Sequence, residues 1–188
     1  SCFQNSTVRG DTEYMIFLFL FPLLAFADLH GRAALKFPIV LVHGATMGGA
    51  VLKIGPFNYG EYFRGIPKFI GETKTDVRVV SLPTDASIGE RATVLKNFLE
   101  TDLKGKKVNI IAHSLGGLDA RYLVSVLKSN QVASITTIAT PHYGTPLANW
   151  AVRQIKEHTL WYYLFRFFGY DLANRRFLPE LTTDYLEN

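Results

Sequence analysis

The chain has 188 residues and a mass of 21.1 kDa, enough for one domain with a real core and too short for two ordinary ones. Apolar residues at 48% and charged residues at 19% exclude a disordered tail, and Gly at 15 with Pro at 8 excludes collagen-like and low-complexity chains. The net charge of +4 is scattered, which speaks against nucleic acid as a partner; the single cysteine, Cys2, excludes an internal disulfide and a cysteine-based zinc site.

In chain order, Met15–Ala27 comes first, an uncharged apolar run reading MIFLFLFPLLAFA. A bilayer span needs about 20 apolar residues, so this run fits the centre of a secretory signal better than a membrane crossing. It ends in the small-x-small pattern Ala25-Phe26-Ala27, which makes Asp28 the expected first residue of a secreted or periplasmic protein. If Met15 is the start, no Lys or Arg precedes the run. If translation begins upstream, Arg9 stands beside Asp11 and Glu13. Residues 1–14 therefore read as read-through from an imperfect gene start. Residues 28–188 are then the mature segment.

The β-branched run Phe37–Val42 predicts a buried strand ending at His43-Gly44, and Val77–Leu82 predicts a second strand, stopped by Pro83. Ser87 and Glu90 form a capping box ahead of Leu95, Phe98, Leu99 and Leu103, whose spacing predicts an amphipathic helix over 88–104, ended by Gly105. Val108–Ala112 is a third buried strand. Leu118, Tyr122, Val126 and Leu127 mark the inner face of the next helix, and a fourth strand runs over 132–139. Short alternation of strand and helix argues an α/β fold, a mostly parallel sheet with helices on both faces. After about Ala148 the alternation gives way to an aromatic-rich segment.

The stretch Ile110–Leu118 carries the chemistry. A strand runs into Ser114 and a helix follows at once, with Ala112 and Gly116 two residues to either side. Such a turn holds its serine in strained backbone geometry, and flanking side chains larger than a methyl would clash. It projects the Ser114 hydroxyl as a nucleophile and puts the Leu115 N–H at a helix N-terminus, where an oxyanion is favoured. His113 adjoins the nucleophile on a tight turn and points elsewhere, so it reads as packing or hydrogen bonding to the turn rather than as the base. A second donor is expected after the first strand, where Gly44 lets the backbone approach and Ala45 supplies its N–H; a loop holding Gly48, Gly49, Gly55 and Gly60 follows. No G-x-G-x-x-G, P-loop or H-E-x-x-H pattern occurs, and the five histidines (His30, His43, His113, His142, His158) show no metal-ligand spacing.

The stretches 38–46 (PIVLVHGAT), 61–70 (EYFRGIPKFI), 106–123 (KKVNIIAHSLGGLDARYL), 138–148 (IATPHYGTPLA) and 178–188 (LPELTTDYLEN) resemble, in order, the secreted bacterial triacylglycerol lipases of the Pseudomonas and Burkholderia type. The resemblance implies an α/β-hydrolase fold lacking its C-terminal part, a lid over about 146–176, and hydrolysis of long-chain glyceride esters through an acyl-serine. It puts Ser114 on the nucleophile, Ala45 and Leu115 on the oxyanion donors, and His142 on a structural position. It puts the catalytic Asp and His, and the ligands of a structural calcium, beyond Asn188, and it brings in a folding chaperone, which some relatives require. No cofactor is implied for the chemistry. An internal triad in the order serine, acid, histidine has only His142 and His158 to draw on. Asp119 sits on the nucleophile helix, Glu157 adjoins His158, and no His follows Asp171, so the triad fails on order and geometry.

Residues 150–170 interleave Trp150, Trp161, Tyr162, Tyr163, Phe165, Phe167, Phe168 and Tyr170 with Arg153, Lys156 and Arg166, a pattern suited to a lipid–water interface. With the resemblance this reads as the lid, and His43, Gly44, Trp150, Trp161, Phe165 and Phe168 are the expected substrate-binding residues. Rival readings are a short-chain esterase or phospholipase, and a catalytically dead lipid-binding module if the chain stops at residue 188.

Overall fold

A computed structural model describes residues 34–45, 50–54, 57–167 and 171–186. The expected signal Met15–Ala27, the read-through residues 1–14 and His30 lie outside them, as do Gly48, Gly49, Gly55, Phe168 and Tyr170.

The β-branched runs form strands where expected. Strands β1 (Ile39–Val42), β4 (Val77–Val80), β5 (Val108–His113) and β6 (Val132–Ile138) make one sheet in the order β4-β1-β5-β6, every pairing parallel. All of β1 is buried, as a central strand must be. Residues 50–61, expected as a glycine-rich loop, instead contain an antiparallel pair, β2 (Val51–Ile54) with β3 (Phe57–Glu61). A short helix, α1 (Ile66–Gly71), follows.

The longer helices are α2 (Ile88–Asp102), α3 (Leu115–Ser125), α4 (Pro146–Lys156) and α5 (Leu160–Phe167); a short α6 (Thr183–Leu186) ends the described chain. The capping box is present: Glu90 N donates to Ser87 Oγ at 3.3 Å, and Ser87 N donates back to Glu90 Oε2 at 2.8 Å. Leu95, Leu99 and Leu103 press into Val40, Val42, Val108 and Ile110 together with Ala120 and Leu123 of α3. Burying each such leucine fully stabilises the fold by about 1.5–3 kcal/mol, so this layer is the main core.

Both faces of the sheet are covered, as expected. On the second face Phe63, with Tyr62 and Ile70, packs over Ile39 and Leu41. Strand β6 leaves Ala133, Ser134, Thr136 and Ile138 exposed, because nothing described lies over its outer side. A second core joins α3 to α4 through Leu115, Leu118, Ala148 and Ala151, with Phe177, Leu178 and Leu181 from the closing segment. That segment is tied to the loop before α2. Arg176 N donates to Asp85 O at 2.9 Å, and Glu180 Oε2 accepts from Ile88 N at 2.6 Å, satisfying an orphan donor of α2.

Candidate active site

Strand β5 ends at His113, and α3 begins at Leu115, leaving Ser114 at the turn with φ 53° and ψ −128°. A non-glycine residue held there costs about 1–3 kcal/mol and persists only when its surroundings enforce it. They do. Ser114 N donates to Ile138 O at 2.9 Å, while Ser114 O accepts from Gly117 N at 3.1 Å and Thr140 Oγ1 at 2.9 Å.

The small flanking residues have a visible reason. A Cβ on Gly116 would sit 2.7 Å from Val42 O and 2.8 Å from His43 O, backbone atoms of the central strand that cannot yield. A Cβ on Gly117 would collide with the Thr140 side chain. Ala112 is wholly buried. The end of β1 is brought onto the serine: a Cβ on Gly44 would lie 2.7 Å from Ser114 Cβ. Ala45 follows directly and is exposed. Gly44, Ala45, Ser114 and Leu115 are thus gathered at one end of the sheet.

His43 is a correction. Its ring is wholly buried, so its side chain does not line a substrate site. Nε2 accepts from Leu82 N at 2.8 Å, which leaves Nδ1 protonated to donate to Gly44 O at 2.8 Å. Burial pulls its pKa from 6.5 down to about 4, so the ring is neutral and serves as a strut between β1 and the end of β4.

Asp119, weighed as a triad acid, is committed elsewhere. Its carboxylate takes Arg91 Nη2 at 2.8 Å and Nε at 3.0 Å, with both side chains fully buried. Arg91 also donates to Pro83 O at 2.6 Å and His43 O at 3.0 Å. Burial pushes Asp119 up from 3.8 to about 6 despite the neighbouring guanidinium.

The remaining described histidines are equally occupied. His113 Nδ1 lies 2.5 Å from Tyr62 Oη, His142 Nε2 lies 3.2 Å from Thr137 Oγ1, and His158 packs edge-on against Tyr162. Ser114 Oγ makes no hydrogen bond to any described residue. Among the described residues no three His, Cys, Asp or Glu side chains lie together as metal ligands.

The aromatic segment divides in two. Helix α4 buries Ala148, Ala151 and Gln154 against the start of α3. Helix α5 leaves Trp161 at 55% and Phe167 at 83% exposure while burying Tyr162. Trp150 and Trp161 both meet Phe165, at 6.2 and 6.4 Å between ring centroids. Trp150, Trp161 and Phe165, three of the expected substrate-binding residues, thus stand together; Phe168 lies outside the described residues.

Sequence reasoning missed Tyr62, Arg91 and Glu180. Arg91 carried a signal: it stands four residues before Leu95 and eight before Leu99, a charge on the buried stripe of α2.

The two shifted groups oppose each other with pH. Below pH 6.5 the unfolded chain protonates His43 and the folded chain does not until about pH 4, so stability is lost over that window, by about 3 kcal/mol at most. Asp119 runs the other way. The folded chain takes its proton near pH 6 and the unfolded chain only near 3.8, so stability is regained as pH falls between them. Unfolding free energy from urea melts should therefore fall more steeply from pH 6 to pH 4 in Asp119→Asn than in the parent. Equal slopes would show that Asp119 does not titrate in this range.

Residues 91–166 match the family model of the PGAP1-like alpha/beta domain. The chain is 38% identical over 101 residues to triacylglycerol lipase 2 of Saccharomyces cerevisiae, covering 49% of this chain and 31% of that protein. It is 34% identical over 126 residues to the triacylglycerol lipase of Vibrio cholerae, covering 63% and 37%. The chain thus spans about a third of the length of these curated relatives. Among solved structures it is similar to the mature Bacillus licheniformis lipase BlEst2, with a TM-score of 0.61 at 22% identity over 81% of this chain and 57% of that one. Similarity to a yeast protein as well as bacterial ones means that the expected Pseudomonas and Burkholderia type is not singled out. The parallel sheet with its serine turn is the α/β-hydrolase fold, and over 63% of its length the chain is similar to a triacylglycerol lipase.

Proposed function

We propose that this protein hydrolyses carboxylic esters of lipids, triacylglycerols foremost, with Ser114 as nucleophile. The observation that carries the reading is the strained Ser114 backbone at the β5–α3 turn, with Gly44 seated against its Cβ. Strain of this kind is kept where function demands it. Ser114 Oγ attacks the acyl carbon, its proton passes to a general base, and the carbonyl oxygen becomes an oxyanion held by the N–H groups of Ala45 and Leu115. Collapse expels the alcohol and leaves an acyl-serine, which water then hydrolyses. The base and its orienting acid come from outside the described residues, as expected from the occupied histidines. The steps so written use only groups of the protein and call for no cofactor.

The exposed rings of α5 support a lid that settles on an oil surface. The run Met15–Ala27 supports a secreted or periplasmic location; among the described residues no helix is long and apolar enough to cross a membrane. A second reading, an acyl-binding module without turnover, is favoured by one observation, the absence of any described imidazole on Ser114 Oγ.

An alkyl fluorophosphonate added to the full-length protein should place one phosphonyl group on Ser114, read by peptide mass spectrometry. Turnover of a triglyceride should rise as the substrate passes from solution into droplets. An unlabelled Ser114 in a protein that turns over esters would move the nucleophile elsewhere, and no turnover of any ester would bring the binding module forward. A rate indifferent to droplets would favour a short-chain esterase.

A further inference from the structure

Tyr62 follows β3 directly, in a part of the chain whose local pattern gives no hint of chemistry, yet it reaches the site from the side opposite α3. Its hydroxyl lies 2.5 Å from His113 Nδ1, the residue before the nucleophile. The same oxygen stands against Gly44, where an added Cβ would come within 3.1 Å of it. Its ring is fixed on its other sides, edge-on to Phe63 at 5.0 Å and tilted against His43 at 5.7 Å. One half-buried phenol therefore touches both chain segments expected to supply oxyanion donors, one before Ala45 and one before Ser114.

Resting on the serine-hydrolase reading above, we infer that Tyr62 is a positioning residue of the reaction: its hydroxyl clamps the Gly44–Ala45 backbone to the His113–Ser114 turn and sets the spacing of the two oxyanion N–H groups. The phenol O–H donates to His113 Nδ1, which leaves Nε2 carrying the His113 proton, while the phenol oxygen bears on Gly44 by close contact. Burial, the largest influence on the phenol, raises its pKa above 10, so the O–H stays available as a donor throughout the neutral range. The phenol stands between the end of β1 and the His113 side chain, in contact with the first and bonded to the second. The two donors need to converge on one oxygen to within a few tenths of an ångström, and a displacement of about 1 Å can cost roughly 100-fold in rate.

The test is Tyr62→Phe in the full-length protein, which keeps the ring and its packing and removes only the hydroxyl. With a soluble ester, kcat should fall roughly 10- to 100-fold while KM changes little, because the lost alignment matters only once the oxyanion forms. His113→Ala should lower kcat by a similar factor, and the double variant should cost no more than the worse single one. Hydrogen exchange at the Gly44 amide should quicken in Tyr62→Phe, a readout that does not need turnover. An unchanged kcat, a change in KM alone, costs that multiply in the double variant, or unchanged exchange at Gly44 would each overturn the clamp. Ser114→Ala run in parallel keeps the two readings apart: turnover surviving there defeats the serine-hydrolase reading, whereas the Gly44 exchange result still decides whether Tyr62 clamps the loop.

Discussion

Ser114→Ala in the full-length protein should abolish ester turnover, lowering kcat by about 10⁶-fold, as removal of the nucleophile does in hydrolases of this logic. The argument is chemical. With no hydroxyl there is no acyl-enzyme, and what remains is the weak catalysis of the oxyanion donors acting on water. The fold should survive, because alanine keeps the Cβ that already sits against Gly44 and the backbone bonds to Ile138 and Thr140 do not involve Oγ. Lipid binding should be unaffected. Ser114→Gly should also be dead yet more stable than the parent by about 1 kcal/mol or more, since glycine relieves the strain at φ 53°. Assays of both variants beside urea melts check this. Retained turnover in either would remove Ser114 from the chemistry, and a glycine variant no more stable than the alanine one would show that the turn is not strained.

The second large effect lies in the buried pair. Arg91→Leu should destabilise the fold by about 3–5 kcal/mol, because it leaves the Asp119 carboxylate buried without a partner. It also strands Pro83 O and His43 O, which Arg91 satisfies. The guanidinium ties the end of β1, the loop after β4 and the nucleophile helix α3 at one point. Loosening that point should slow ester turnover as well, through the spacing between Gly44 and Ser114. The double change Arg91→Leu with Asp119→Leu should recover part of the loss, since neither charge is then left alone. Equilibrium unfolding of the three variants measures it. A cost below about 1 kcal/mol for Arg91→Leu would mean that water reaches the pair and screens it.

Much of the sheet was legible because local pattern and tertiary demand coincide there. The runs at 39–42 and 108–113 are apolar and β-branched because both lie inside the sheet, and strands so placed leave that signature in any sequence. Helix α2 was legible from its capping box and its leucines. The antiparallel pair at 51–61 was not, since glycines and a proline break its alternation and read as loop.

By itself, the sequence determined the serine turn. The strand before it, the helix after it and the small residues beside it are all local, and a strained turn leaves few residues that fit. It also determined that Gly44 would let backbone approach closely. Only the tertiary structure decided what approaches: Ser114 to Gly44, Tyr62 to His113, Arg91 to Asp119 and His43, and Leu82 to the buried ring of His43. These partners stand 28 to 70 residues apart or close to it, a separation at which hydrophobic period and turn chemistry carry no information about pairing. His43 and His113 look alike along the chain, since each stands at the end of a strand and precedes a glycine or serine. Burial separates them: desolvation holds His43 neutral between two backbone groups, a fact that belongs to its surroundings and not to its type.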